Sequence, residues 1–198
     1  IRNGQAWDTA GAYVETALGN ITVRDCVIEN NTATNFSGGA YLYTVGGEVT
    51  VERTRVLSNS ASAYAGLVIE NLIGATTLVN NLVVLNAATE YAGGVYAYTY
   101  TGTTRLINST ITGNSGDPLS GWAGGIYLVL ESPEAVADAY NNIIWGNTAF
   151  WGGDVYVENL YGGTVNAYNN DQLTSYWDGP PPNQGGNIVD DPMFVDAP

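Results

Sequence analysis

The sequence contains no lysine, no histidine and a single cysteine in 198 residues. Without histidine or lysine, an acyl-transfer or metal-hydrolase site is hard to build. Cys26 has no partner for an internal disulfide or a cysteine-based metal site, and it is predicted to be a small, buried side chain. Catalysis therefore has little support in the sequence, and whether the chain is an enzyme stays open at this point.

Positive charge is also scarce. Five arginines oppose 19 aspartates and glutamates, which gives a net charge of −14. Such a surface repels phosphate backbones and anionic lipids, so nucleic acids are not expected as partners. Charged residues make up only 12% of the chain, a balance that favours an extracellular or cell-surface β-rich protein. No stretch approaches the roughly 20 apolar residues of a membrane-spanning helix.

Two sets of residues recur with a period of roughly 28 residues. The first set consists of glycines, namely Gly11, Gly39, Gly66, Gly94, Gly125 and Gly153. The second set consists of asparagines, namely Asn3, Asn31, Asn59, Asn86, Asn114 and Asn147. A fixed repeat over most of the chain predicts a solenoid, in which each repeat forms one coil stacked on the previous one.

Apolar residues alternate with tyrosine or glutamate after each glycine, as in Ala40-Tyr41-Leu42-Tyr43. Side chains alternate between the two faces of a strand, so the aliphatic residues are predicted to point inward and the others outward. Two further strands per coil are indicated by apolar columns that begin at Ile21 and Ile28. A polar corner lies between those two strands, with Cys26, Thr54, Asn81, Ser109, Asn142 and Asn170 at equivalent places.

Three short strands per coil predict an all-β fold, a right-handed single-stranded parallel β-helix of about six coils of roughly 28 residues. The β-helix is predicted to span residues 1–178, and an irregular tail rich in Pro and Asp at 179–198 is predicted to close the last coil. The first residues, Ile1 to Gly4, match the second half of a repeat. Because open strand edges can pair with another chain, we expect the coils to associate end to end into fibres.

The segments GGAYLY from Gly38, GGVYAY from Gly93 and GGIYLV from Gly124 alternate with IENNTA, VLNAAT, ITGNSG and IWGNTA. This alternation resembles the GGA(I/L/V) and FxxN repeats of the polymorphic outer membrane protein family of exported bacterial proteins. The resemblance covers nearly the whole chain and implies a β-helix with an adhesive or structural role at the cell surface. The chain departs from that family in lacking phenylalanine at the first FxxN position.

The outward positions of the first strand provide the candidate ligand or assembly face. It consists of Tyr13, Glu15, Tyr41, Tyr43, Glu70, Tyr96, Tyr98, Tyr127, Tyr156 and Glu158. Aromatic rings there can stack on sugars while carboxylates accept hydroxyl protons, or the surface can pack against another subunit. The alternative is that the stacked aromatic residues only stabilise neighbouring strands.

A second aromatic column precedes the glycines, with Trp7, Phe36, Tyr64, Tyr91, Trp122 and Trp151. We interpret it as a packed corner that covers the core. No cofactor other than Ca²⁺ is expected. Asp190, Asp191 and Asp196 in the tail provide hard oxygen ligands of the kind that hold Ca²⁺. The competing interpretation is that this tail is only solvated.

These observations favour an exported structural or adhesive protein whose partners are further copies of itself or surface glycans and proteins. The alternative is a carbohydrate-binding or carbohydrate-active module, similar to a polysaccharide lyase or glycosidase, that uses the tyrosine and glutamate face. A glycosidase needs two carboxylates roughly 5 to 9.5 Å apart. The sequence offers candidates for such a pair around the second strand, in Asp25, Glu29, Glu48 and Glu52.

Overall fold

The computed structural model describes residues 1–172 and 174–194, and these residues form parallel β-strands in four sheets. Sheet 1 consists of Ala12–Thr16, Ala40–Thr44, Leu67–Asn71, Val95–Thr99, Ile126–Leu130, Val155–Glu158 and Ser175–Asp178. Sheet 2 consists of Ile21–Arg24, Val49–Glu52, Ala75–Val79, Thr103–Ile107, Val136–Tyr140, Thr164–Tyr168 and Asn183–Gly185. Sheet 3 consists of Val27–Glu29, Arg55–Leu57, Leu82–Val84, Thr110–Thr112, Ile143–Trp145 and Asp171–Gln172. Sheet 4 consists of Gln5–Ala6, Thr32–Ala33, Ser60–Ala61 and Ala87–Ala88.

Each strand pairs with the equivalent strand one repeat away, so the chain forms a solenoid of about six turns of roughly 28 residues. The predicted all-β parallel architecture is confirmed. Sheet 4 was not predicted, because its strands are two residues long and too short to show an alternating pattern. Asn183–Gly185, inside the segment predicted as an irregular tail, pairs with Thr164–Tyr168, and the boundary at residue 178 stays a prediction.

The core lies inside the coils and consists of the aliphatic columns that the sequence indicates. Leu42 and Ile69 of sheet 1 are fully buried and lie in register, together with Val51 and Leu78 of sheet 2. Val14 was predicted to point inward as well, yet it is 39% exposed. Its strand, the first of sheet 1, pairs on one side only, so fewer neighbours cover it.

A ladder of buried asparagines runs along the corner between sheets 3 and 4. The side-chain amide of each member donates a hydrogen bond to the side-chain oxygen of the next, at 2.9 Å for Asn31, Asn59, Asn86 and Asn114. The last member, Asn147, donates to the Asp154 carboxylate at 3.0 Å. These bonds satisfy polar groups that would otherwise be buried without partners.

Two register assignments differ from the sequence prediction. Gly4, and not Asn3, precedes Asn31 in the ladder, because its backbone N–H donates to the Asn31 side chain at 2.9 Å. Asp154, and not Gly153, occupies the place equivalent to Gly125, because Ile126 pairs with Val155. Both differences arise where the repeat length departs from its usual value.

The predicted polar corner between sheets 2 and 3 forms a second ladder, which continues past Asn170. Backbone N–H groups donate to the side chain one coil further on, as from Thr54 to Asn81 at 2.9 Å and from Asn142 to Asn170 at 3.0 Å. Asn170 in turn donates to Asn187 at 2.8 Å. The residue before each ladder position has a left-handed backbone, for example Asn80 with φ of 56° and Asn141 with φ of 56°.

Leu85 precedes Asn86 of the asparagine ladder and also has a left-handed backbone, with φ of 57°, and its side chain is 42% exposed. A left-handed conformation costs most L-residues about 1 to 2 kcal/mol, whereas asparagine adopts it readily. We expect Leu85→Asn to raise the free energy of unfolding by about 0.5 to 1 kcal/mol in urea denaturation. Leu57→Asn, in the strand Arg55–Leu57, is the control and is expected to lower the free energy of unfolding. If both substitutions lowered it equally, backbone strain at Leu85 would be contradicted.

Thr76 is a buried core residue whose hydroxyl finds no hydrogen-bond partner among the described residues. Its in-register neighbour Thr104 has one, because its hydroxyl lies 2.6 Å from that of Thr99. A buried unpaired hydroxyl costs about 1 to 3 kcal/mol. We expect Thr76→Val to stabilise the fold by about 1 kcal/mol and Thr104→Val to destabilise it. Thermal unfolding of the two variants measures this difference, and a Thr76→Val variant that unfolds earlier than the parent would contradict it.

Candidate functional site

The residues of the predicted ligand or assembly face all lie on the outer side of sheet 1, in two columns that follow the solenoid axis. The first column contains Tyr13, Tyr41, Val68, Tyr96, Tyr127, Tyr156 and Tyr176. The second column contains Glu15, Tyr43, Glu70, Tyr98, Val129, Glu158 and Asp178. We call this surface the Tyr/Glu face. Tyr176 and Asp178 were missed, because the last repeat is shorter than the others and hides the seventh strand.

Exposure changes along the Tyr/Glu face. Tyr13 is 56% exposed, whereas Tyr127 is 7% and Tyr156 is 2% exposed. The Trp122 ring covers the two buried tyrosines, with ring centroids 5.9 Å from Tyr127 and 5.1 Å from Tyr156. The accessible part of the face therefore lies toward the first four strands of sheet 1 and at Tyr176.

The aromatic column before the glycines packs against the edge of the Tyr/Glu face. The ring centroid of Phe36 lies 5.3 Å from that of Tyr41, and the ring centroid of Tyr64 lies 4.5 Å from that of Tyr96. A separate small apolar cluster forms there, outside the main core. The alternating pattern of a strand shows which side chains point outward, but it does not show that loop residues fold over them.

Tyrosine hydroxyls on the face donate hydrogen bonds to glutamates of the same or the next coil. Tyr41 donates to Glu70 at 2.8 Å and Tyr127 donates to Glu158 at 2.6 Å. Tyr13 donates to Glu15 in its own strand. Each glutamate is thereby held in one orientation against the sheet.

Burial, and then the hydrogen bond to the glutamate, raise the pKa of Tyr41 and of Tyr127. Burial likewise raises the pKa of Tyr64, Tyr96 and Tyr156. These tyrosines therefore stay neutral near pH 7, and Tyr41 and Tyr127 act as hydrogen-bond donors to the neighbouring glutamates.

The arginines lie elsewhere, on and around sheets 2 and 3. Four of the five pair with carboxylates there: Arg2 with Glu29 at 3.2 Å, Arg24 with Glu52 at 2.8 Å, Arg53 with Asp25 at 2.7 Å and Arg105 with Asp138 at 3.5 Å. The fifth, Arg55, belongs to a strand of sheet 3.

The carboxylates suggested as a glycosidase pair lie among these arginines. Arg53 contacts both Asp25 and Glu52, and Arg2 contacts Glu29. The side-chain hydrogen bond from Arg53 lowers the pKa of Asp25, which keeps that carboxylate ionised and unsuited to the role of general acid at neutral pH.

Asp190 and Asp191 of the predicted calcium site are exposed, and Asp196 lies outside the described residues. The Asp191 side chain accepts a hydrogen bond from the Met193 backbone N–H at 2.9 Å. Nearby Asp171 is 8% exposed, and burial raises its pKa, with a further contribution from Asp190. Among residues 1–172 and 174–194, no three acidic, cysteine or histidine side chains come together in a way that could hold a metal ion. Calcium binding stays a prediction.

Exposed apolar side chains line the turns between sheets 1 and 2, next to the Tyr/Glu face. They are Leu18, Ile73, Tyr100, Leu160 and Tyr161, with exposures of 77%, 55%, 49%, 58% and 59%. We call them the turn ridge. Leu18 and Ile73 approach each other across Gly46, where an added Cβ would lie 3.1 Å from Leu18 and 3.4 Å from Ile73. The sequence analysis missed the ridge, because its members do not share one position in the repeat.

The family model of the right-handed β-helix region matches residues 3–149. The chain belongs to the right-handed β-helix family. The handedness expected from the crossover rule is thus confirmed, together with the solenoid. No curated protein and no solved structure matches this β-helix. Residues 1–172 and 174–194 include no α-helix that could cross a membrane.

Proposed function

We propose that this β-helix is an exported structural or adhesive module of the cell surface or extracellular matrix, and that the Tyr/Glu face is its contact surface. The observation that carries the proposal is the stacking of seven strands into one outer face of tyrosines and carboxylates, next to an exposed apolar ridge. Exposed apolar surface with a polar rim is typical of interaction sites.

A place within the polymorphic outer membrane protein group is part of the same proposal. It is supported by the GGAYLY, GGVYAY and GGIYLV segments, which enter sheet 1 at equivalent positions. End-to-end stacking of coils into fibres stays a prediction that sedimentation over a range of protein concentrations would test.

A carbohydrate-binding role is the second candidate, supported by the regular spacing of rings on the face. In the accessible part of the face, the ring centroids of Tyr13 and Tyr41 lie 5.1 Å apart and those of Tyr41 and Tyr43 lie 6.5 Å apart. Aromatic rings in such a row offer apolar surface to stacked sugars. Catalysis on a carbohydrate stays an open alternative.

The experiment is a binding screen with the immobilised protein against neutral glycans, acidic glycans and purified matrix proteins. Tyr13→Ser combined with Tyr43→Ser alters the accessible part of the face, while Thr22→Ser combined with Thr50→Ser alters the outer side of sheet 2 as a matched control. We expect binding that is lost with the tyrosine pair and kept with the threonine pair. Binding that neither pair of substitutions changes, or cleavage of a glycan, would overturn the proposal of a non-enzymatic contact surface.

A further inference from the structure

Negative charge is balanced differently on the two sides of the solenoid. On sheets 2 and 3 the carboxylates of Glu52 and Asp138 are paired with arginines. On sheet 1 the carboxylates of Glu70 and Glu158 accept hydrogen bonds from neutral tyrosine hydroxyls. A hydroxyl donor orients a carboxylate but does not cancel its charge. Among the described residues, no arginine ion pair involves Glu15, Glu70, Glu158 or Asp178, so arginine does not balance the negative charge of the Tyr/Glu face.

We propose that the Tyr/Glu face binds a cationic polypeptide segment through its arginine or lysine side chains. The inference rests on the proposed function, since it names the partner of the same surface. It is carried by charge complementarity, because none of the five arginines, all within the described residues, belongs to a strand of sheet 1.

The centre of this site is Glu70 with the two tyrosines that flank it. Glu70 is the in-register neighbour of Tyr43 on one side and of Tyr98 on the other. Adjacent strands lie about 4.8 Å apart, so a cation above either ring is within reach of the carboxylate. A guanidinium or ammonium group attracts the face of an aromatic ring, and the neighbouring carboxylate adds a direct ion pair. Tyr41 fixes the Glu70 carboxylate from the preceding coil.

The turn ridge completes the site for a polypeptide. Arginine and lysine have long apolar stems that cover apolar surface while the charged end reaches a carboxylate. Leu18, Ile73 and Tyr100 provide such a surface beside the second column. A second copy of this chain fits less well, because its net charge of −14 repels the same face.

The test measures binding of a short fluorescent oligo-arginine peptide by anisotropy over a range of salt concentrations. Glu70→Gln with Glu158→Gln removes two charges from the Tyr/Glu face, and Glu52→Gln with Asp138→Asn removes two charges from sheet 2. We expect the first pair to weaken binding about tenfold and the second pair by less than about twofold. Tyr43→Leu with Tyr98→Leu keeps the apolar area, loses the cation–π contact, and is expected to weaken binding about fivefold.

Equal weakening by the two charge pairs would show attraction to net charge alone and would overturn the inference. Unchanged binding by all variants would overturn it too. Thermal unfolding of each variant confirms that it is folded, and if a double variant is not, the single changes Glu70→Gln and Tyr43→Leu give the same comparison. A neutral oligosaccharide that binds in place of the peptide, and is lost with the tyrosine variants, would reject the cationic partner while the proposed contact surface stands.

Discussion

Asn86→Asp is expected to lower the free energy of unfolding by about 4 kcal/mol at neutral pH. The Asn86 amide nitrogen donates to Asn114 Oδ1 at 2.9 Å, to the Val56 carbonyl at 3.0 Å and to the Val84 carbonyl at 3.2 Å. An aspartate has no donor for these three oxygens and places a charge among them in a fully buried site. The Asn59 side-chain amide can still donate to the introduced carboxylate. Hydrogen bonds are therefore lost only where the Asn86 amide nitrogen was the donor.

The pH dependence of this variant separates the electrostatic cause from a loss of shape. Burial among carbonyl oxygens raises the pKa of the introduced carboxyl above its unfolded value of about 3.9. The stability deficit should therefore shrink as the pH falls toward 4, where the protonated carboxyl can donate again. Asn20→Asp is the matched control, because the exposed Asn20 side chain only accepts, from the Glu48 N–H at 2.9 Å. A deficit that does not change with pH, or one that Asn20→Asp shares, would contradict the explanation.

Stability is expected to fall steeply in alkaline solution, from about pH 10 upward. Tyr127 and Tyr156 are buried and Tyr96 is partly buried, and burial raises the pKa of all three. In the folded state they therefore keep protons that the unfolded chain releases near about pH 10. A group whose pKa is raised on folding contributes stability that is present below the unfolded pKa and is lost as the pH rises above it. Each such tyrosine contributes about 1 kcal/mol of loss between pH 10 and 11, so these three together account for about 3 kcal/mol.

Urea denaturation at intervals from pH 8 to 11 measures this loss. Tyr127→Phe combined with Tyr156→Phe removes two of the titrating groups, so the loss of stability between pH 10 and 11 should decrease by about 2 kcal/mol. The double variant starts from a lower stability at pH 8, because Tyr127 no longer bonds to Glu158. A slope identical to that of the parent would show that other groups cause the alkaline loss.

Much of the fold follows from the sequence, because each coil repeats the same local physics. The alternation in Ala40–Thr44 and the recurrence of Asn59 and Asn86 predicted the strands and their parallel stacking in coils. Sheet 4 was missed, since Ser60–Ala61 and similar pairs show no period. The register at Gly4 was also missed, because both Asn3 and Gly4 fit the spacing within one residue.

The candidate site was predicted less completely than the fold. The alternating pattern placed Tyr41 and Tyr127 on one outer face, where the structure also has them. It gave no sign that Trp122 covers Tyr127, because covering depends on the path of a loop between two coils. The pairing of Tyr41 with Glu70 was also out of reach, since it joins positions that are diagonal to each other on adjacent strands.

The asparagine ladder has a direction, because each side-chain amide donates one hydrogen bond forward to the next asparagine, while each side-chain oxygen accepts from the preceding one. Asn59 and Asn86 therefore present identical upper and lower surfaces to their neighbours. A duplicated repeat inserted between them would meet a matching donor on one side and a matching acceptor on the other. Lengthening or shortening by whole repeats is therefore expected to preserve the hydrogen bonds of this ladder, so duplication or deletion of one repeat in the gene would change the length of the solenoid without breaking it.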